Sequence, residues 1–383
     1  VVVMIGWALR LLLARDHKTQ TSARPWLPLG FGFLALIVAH LLSVFSPAQP
    51  DPLLVFKYTL RPLLFVYIAA LALPANFLRS WRRMDEACVA FLGVAGWFTL
   101  DAVRSLFIFQ GDAFGIYRAH PLTFFGVNPL GGNHHALAEL MVLVAPLALA
   151  LRERTQDHRV KRALLALAGM FWLVALLTFA RAAWFVVALQ VGIYGVCVWR
   201  DWVRLHLRAL IITAFFLSPL GLYMVWLSLG SAVGQSTSAR TLLIDMAWSF
   251  FRDSPWVGVG AGTFVERVAH VWAFTVEYGA AQDAHGLVQK LGAETGLFGL
   301  TAFVFLLWLF FKLVRGQWRL LTDKQEQRWF VCMGVSAVGV LTYQLFSTSL
   351  WSPRVWLSIG FLCAGMRLLR TQAVRRDPDF LRT

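Results

Sequence analysis

Apolar runs long enough to cross about 30 Å of hydrocarbon recur along this chain. They lie at 26–46, 52–74, 87–109, 132–151, 162–180 and 182–199, then at 207–229, 296–314, 329–347 and 350–369. Lipid offers a bare backbone amide no partner, so each run must close its hydrogen bonds within itself as a helix or within a closed barrel. The alternating ten-residue pattern of a barrel is missing. The chain therefore reads as an all-α polytopic integral membrane protein. Composition agrees, since 58% of the 383 residues are hydrophobic and 14% are charged, against about 25% charged in a soluble domain. A further run at 1–13 is too short to span and reads as a helix truncated at its start rather than as a signal peptide. Cys88, Cys197, Cys332 and Cys363 are far apart and lie in or beside apolar stretches, which excludes a disulfide framework and a zinc knuckle.

A net charge of +15 would suggest nucleic acid in a soluble protein, but here the basic residues sit between the apolar runs. The connections containing Arg79, Arg152, Arg200, Arg315 and Arg367 belong to one side and hold 25 of the 35 Lys and Arg residues; the opposite side holds 7, among them Arg118, Arg181, Arg240 and Arg354. The bias of basic residues towards cytoplasmic loops puts the first set in the cytoplasm. No basic patch carries interleaved stacking aromatics, so nucleic acid is excluded as a partner. On the external side one loop, from 230 to about 295, is far longer than any cytoplasmic connection and too aromatic to be disordered. Its SARTLLIDMAWSFF stretch predicts a helix after a Ser238 cap, and Asp283 could cap a second helix from His285. The organisation expected is transmembrane helices over 1–229, a helical external loop capping the site over 230–295, C-terminal transmembrane helices over 296–371 and a cytoplasmic tail over 372–383.

Several residues carry candidate chemistry, each with a plainer alternative. Arg181 interrupts the apolar run LLTFARAAWFVV at the external end of a hairpin; it is either a snorkelling anchor or a phosphate clamp, because guanidinium binds phosphate bidentately and keeps its proton. Arg240, in the loop helix, is either a solvated surface residue or a second clamp. His285, in DAHGLVQKLGAETGLFGL, is either an interfacial polar residue or a general base, its ordinary pKa of about 6.5 suiting proton removal near neutral pH. Charge counting puts all three on one face. Inside the bilayer, Lys57 and Arg61 are one turn apart on one helix, and Asp101 and Arg104 share the next. An Arg61–Asp101 pair is the natural hypothesis, either as a structural lock or as part of a functional site, and Lys57 and Arg104 would suit an anionic lipid headgroup. The external segments show no metal-ligand spacing, so no metal or other cofactor is expected. GVGAGTF at 258–264 is a loose GxGxG without the βαβ unit a dinucleotide site needs. The NPLGGNHH stretch at 128–135, with His134 and His135, is either a polar loop lining the same cavity or a helix-entry turn.

At these residues the chain resembles the O-antigen ligase (WaaL) and polymerase superfamily. The likeness runs through FKYTLRPLLF, TFARAAW, SARTLLIDMAWSFFRDSPWVGVGAGTF and DAHGLVQKLGAETGLFGL. In the last stretch His285, Gly296 and Gly299 match the ligase pattern, whereas Gly286 stands where ligases carry Asn, Ser or Gln, and Leu300-Thr301 where they carry paired small residues. The resemblance implies a GT-C-like glycosyltransferase bundle of about twelve helices, one and part of the next preceding Val1. It further implies transfer of a glycan from undecaprenyl pyrophosphate to a sugar hydroxyl of lipid A-core at the periplasmic face of the bacterial inner membrane. His285, Arg181 and Arg240 would be the catalytic residues, and Lys57, Arg61, Arg104, Asp283, His134 and His135 would bind substrate. A polymerase, whose acceptor is another lipid-linked glycan, is the neighbouring alternative. A lipid-linked oligosaccharide flippase is the alternative of another class, but it would favour internal repeats and charges spread through the membrane depth, and this chain shows no repeat.

Overall fold

The computed structural model describes residues 27–108, 118–121, 129–131, 133–228 and 231–376. The run at 1–13, together with Asn128 and Gly132 of the NPLGGNHH stretch, lies outside the described residues. Those described form helices and turns without a strand. Seven helices among them are long and apolar enough to cross a membrane, as the recurrent runs require of a polytopic membrane protein. They are α1 (Leu27–Leu42), α2 (Pro52–Phe77), α3 (Trp81–Ile108), α4 (His134–Arg154), α5 (His158–Leu177), α11 (Leu287–Trp318) and α12 (Lys324–Tyr343). Between and after them lie the apolar α6 (Arg181–Cys197), α7 (Arg200–Ser228) and α13 (Pro353–Arg376). The long loop contributes α8 (Ser231–Asp253), α9 (Phe264–Ala269) and α10 (Trp272–Tyr278).

The bundle is organised around α4. Every residue from Ala136 to Leu151 is buried, because α3, α5, α6 and α12 pack against it on different sides, and a helix surrounded in this way has no polar face to conserve. Polar side chains tie the neighbours to its backbone. Gln190 of α6 donates from Nε2 to the Val142 carbonyl at 2.7 Å and accepts from Trp172 Nε1 of α5 at 2.9 Å. Ser336 of α12 donates to the Leu143 carbonyl at 2.7 Å. At the C-terminal end of α4, Arg154 makes a bidentate pair with Asp85 at 2.8 and 3.1 Å and lies 4.0 Å over the ring of Trp81. In α2 the hydrogen-bond register widens to a π-helix over Pro62–Ala72. Pro62 has no N–H to give to the helix ladder; such widened turns frequently mark functional sites.

The decisive local feature is the break in α11. Gly296 has φ +59° and ψ −153°, so a short helix over 287–295 meets the spanning helix at a corner. In an unbroken helix the amides of Leu297 and Phe298 would donate to the carbonyls of Ala293 and Glu294. Here they donate to the carbonyls of Pro255 (2.8 Å) and Trp256 (3.2 Å), while the vacated Ala293 and Glu294 carbonyls accept from the amides of Val259 (2.8 Å) and Gly260 (3.0 Å). Two intrahelical bonds are replaced by four to the facing segment, which leaves none of these groups unpaired, as a break buried in protein requires. The GVGAGTF stretch thus serves the backbone: Gly258 has φ +69°, and a Cβ there would collide with Glu294 and Thr295. Above the break, α8, α9 and α10 share a small core of Leu243, Met246, Phe264, Val268 and Phe274 with Ala284 and Ala293.

Two capping expectations need correction. Helix α8 begins at Ser231, not after Ser238; Ser238 lies within it, its hydroxyl 2.9 Å from that of Tyr278. Helix α11 begins at Leu287 with Gly286 as an N-cap that makes no side-chain bond, and Asp283 is engaged elsewhere. The Arg61–Asp101 pair is not formed either: α3 packs on α4, α5 and α13 rather than on α2, which leaves Arg61 exposed to a cavity and Asp101 buried.

Replacing Gly296 by Ala should be costly, because the new Cβ would sit 2.6 Å from the Pro255 carbonyl oxygen in a left-handed conformation. The backbone strain alone is worth about 1–3 kcal/mol. Gly316, in the same helix with open space around it, should tolerate Ala. Thermal unfolding of the two purified variants is the check; equal stability would contradict the exchanged-bond account.

Candidate functional site

The ends of α1, α4, α5, α6, α11 and α12 that meet at one pole of the bundle bring most of the candidate residues together. Asn133 accepts from the His135 amide at 2.8 Å and caps α4, which sets His134 and His135 in its first turn. Arg118 Nη1 lies 3.2 Å from His134 Nε2. Arginine can only donate, so His134 accepts there and is a neutral imidazole carrying its proton on Nδ1. Its ring lies 4.2 Å from that of His135 and 5.4 Å from that of His120. Tyr343 of α12 donates to the His135 carbonyl at 3.2 Å.

Arg181 is the first residue of α6. The turn before it holds Phe179 at φ +55°, a rare conformation for a bulky residue, and is closed by the Thr178 hydroxyl, which donates to Ala175 at 2.6 Å and accepts from the Ala180 amide at 3.3 Å. Arg240, on α8, is half-buried, and its Nε is buried without a hydrogen-bond partner among the described residues. Burial, and after it the charge of Arg181, draws its pKa below the ordinary value. Neither guanidinium forms an ion pair with a carboxylate among the described residues. His285 shares this environment. Burial first and the Arg240 charge second lower its pKa below 6.5, with Asp283 offsetting part of the shift. The imidazole is therefore neutral at pH 7, free to take a proton.

Three carboxylates at this pole are held by other partners. Asp283 accepts from Lys290 Nζ at 2.6 Å, from Thr348 at 3.0 Å and from the Ala284 amide at 2.9 Å. Glu139, one turn inside His135 on α4, accepts from Gln344 at 2.7 Å and Ser349 at 2.6 Å, with Arg354 at 3.7 Å. Glu294 accepts from the Phe264 amide at 3.2 Å. A cavity of about 490 Å³ lies between α2, the start of α11 and the turn after α12, walled by Arg61, Asp283 and Lys290 among others.

Of the residues singled out in the sequence, Arg181, Arg240, His285, His134 and His135 thus share one electrostatic neighbourhood. Arg61 and Asp283 line the adjoining cavity. Lys57 and Arg104 stand exposed on α2 and α3 without a hydrogen bond or ion pair to any described residue. The sequence reading passes over Arg118, Glu139 and Tyr343. Glu139 left a signal, being the one acid inside the apolar run 132–151, where a charge is a functional candidate by default; the positions of Arg118 and Tyr343 depend on tertiary packing.

The order of causes acting on His285 can be tested directly. Its imidazole should titrate below 6.5; Arg240→Gln should raise that value by removing a repelling charge, and Asp283→Asn should lower it further. NMR of protein labelled in the histidine ring reads this, and a titration at or above 6.5 in the wild type would overturn the assignment.

No curated protein matches the chain. The scan against protein families finds the O-antigen ligase family, Wzy_C, over residues 164–304. That stretch runs from within α5 to within α11 and contains Arg181, Arg240, His285, the exchanged-bond corner and the start of the spanning part of α11. Over residues 164–304 the chain is therefore similar to the O-antigen ligase family, which is consistent with the O-antigen ligase and polymerase superfamily and supports a ligase- or polymerase-type function.

Proposed function

We propose that this protein is an O-antigen ligase, a glycosyltransferase that moves a glycan from undecaprenyl pyrophosphate to a sugar hydroxyl of lipid A-core at the periplasmic face of the bacterial inner membrane. One observation carries the reading: two guanidinium groups, Arg181 and Arg240, lie close enough for one to lower the other's pKa, yet neither has a carboxylate counter-ion among the described residues. Such an arrangement suits an anion brought by the substrate. The segment 230–295 caps the site, with spanning helices before and after it. His134 and His135 border the donor, Arg61 and Asp283 contact substrate from the cavity side, and Lys57 and Arg104 face anionic lipid headgroups.

The chemistry follows from these roles. The neutral His285 imidazole takes the proton of the acceptor hydroxyl as its oxygen attacks the anomeric carbon. The bond from that carbon to the pyrophosphate oxygen breaks, and its electron pair departs with the pyrophosphate, whose growing charge Arg181 and Arg240 stabilise. Attack opposite the leaving group inverts the anomeric centre. Pyrophosphate leaves without needing a proton, so no paired carboxylic acid is required. The two arginines supply the charge that a divalent ion would otherwise provide, and chelator should leave the rate unchanged.

Arg181→Ala and Arg240→Ala should each lower the rate by about 10² to 10³, with Lys restoring only part because a point charge lacks the guanidinium fork. His285→Ala should lower it by about 10² to 10⁴. The test is transfer by the purified protein from lipid-linked glycan to lipid A-core. Product on the core identifies a ligase, lengthened lipid-linked glycan identifies a polymerase, and movement across the membrane without a new glycosidic bond would mean transport.

A further inference from the structure

We infer that the cavity walled by Arg61 and Lys290 seats the acceptor and takes a sugar that carries a phosphate; this rests on the transfer reaction proposed above. Its volume of about 490 Å³ falls within the ~300–1,000 Å³ of small-molecule sites. Its walls come from elements other than those that carry Arg181 and Arg240: α2 gives Tyr58 and Arg61, the turn before α11 gives Asp283, α11 gives Lys290, and the 3-10 turn after α12 gives Ser349 and Trp351. His285 feels both sides, since the charge of Arg240 and that of the cavity-lining Asp283 both act on its imidazole.

The wall chemistry selects the ligand. Lys290 is neutralised by Asp283 at 2.6 Å, whereas Arg61 makes no hydrogen bond or ion pair with any described residue, so the cavity keeps one uncompensated guanidinium whose fork matches a phosphate. The hydroxyl protons of Thr348 and Ser349 are already committed, to Asp283 and to Glu139. What these side chains still offer is lone pairs, the complement of a ligand rich in hydroxyl donors. Tyr58 and Trp351 add aromatic surface for the apolar faces of a sugar ring, and the Trp351 ring is steadied edge-on against His40 at 5.2 Å. A phospholipid headgroup would satisfy Arg61 but would bring no sugar ring to the aromatic walls of Tyr58 and Trp351.

Binding can be measured without turnover. The protein in phosphatidylcholine nanodiscs would be titrated calorimetrically with a monophosphorylated core oligosaccharide free of lipid, and with the same oligosaccharide after phosphatase treatment. The wild type should bind the phosphorylated form at least tenfold more tightly. Arg61→Gln should abolish that preference while binding the dephosphorylated form as the wild type does, and Arg61→Lys should keep part of it. Because Arg61 makes no hydrogen bond or ion pair with a described residue, the variants should unfold at the wild-type temperature. Equal wild-type affinity for the two oligosaccharides, or an Arg61→Gln variant that keeps the preference, would overturn the inference. So would a preference that appears only after phosphatidylglycerol is added, which assigns Arg61 to a lipid headgroup. Failure of the transfer reaction itself would show separately, as absence of product from lipid-linked glycan and lipid A-core in a protein that still binds the oligosaccharide.

Discussion

Everything at the functional pole depends on an exchange of backbone hydrogen bonds. At Gly296 a helix turns a corner inside a protein that spans a membrane, where an unpaired amide or carbonyl has no water to meet. The amides of Leu297 and Phe298 find the carbonyls of Pro255 and Trp256, and the carbonyls they leave are taken by Val259 and Gly260. That exchange pins the 254–262 segment to α11 and lets the short helix over 287–295 stand at an angle to the membrane-spanning part. His285 and Lys290 are positioned by it, one just before that short helix and one within it. Only glycine fits at the corner, since any Cβ at Gly296 would meet the facing backbone.

The second organising principle is the distribution of charge. Three acids at this pole are each engaged: Asp283 by Lys290 and Thr348, Glu139 by Gln344 and Ser349, Glu294 by a backbone amide. Among the described residues no acid forms an ion pair with Arg181 or Arg240. A cationic cluster of this kind carries a standing cost of repulsion and desolvation, visible in the lowered pKa values of Arg240 and His285. The same cost disfavours the protonated form of His285, so on the proposed reading an environment suited to a departing pyrophosphate also prepares a base. An anion entering the cluster would relieve the repulsion, but it would also draw the His285 pKa upward, which favours accepting a proton as negative charge builds.

Much of this was legible in the sequence, and the reasons differ by element. The spanning helices followed from hydropathy because lipid leaves the backbone one solution at a given apolar length. Arg181 and His285 stood out because a charged or titratable group at the end of an apolar run needs an explanation. Local capping signals misled at Ser238, which the structure carries inside a helix starting seven residues earlier, and at Asp283, whose carboxylate is drawn to Lys290 rather than to the helix start. The supposed Arg61–Asp101 pair failed because equal depth along two consecutive spans does not make their helices neighbours; α2 packs on α1 and α13, and α3 on α4 and α5. GVGAGTF looked like a weak nucleotide motif, and its purpose could not be read without the partner strand of backbone that it bonds. The roles of Arg118, Glu139 and Tyr343 likewise arise from contacts between segments far apart in the chain.

The central claim is that Arg181 and Arg240 receive the pyrophosphate while His285 remains available to the acceptor. The most direct measurement is an electron cryomicroscopy structure of the protein in nanodiscs with undecaprenyl pyrophosphate bound. The account predicts phosphate density within hydrogen-bonding distance of both guanidinium groups, including the Nε of Arg240 that has no partner among the described residues, and an unobstructed path from His285 to the Arg61 cavity. Pyrophosphate density against Arg61 and Lys290 instead, with Arg181 and Arg240 facing solvent, would contradict it.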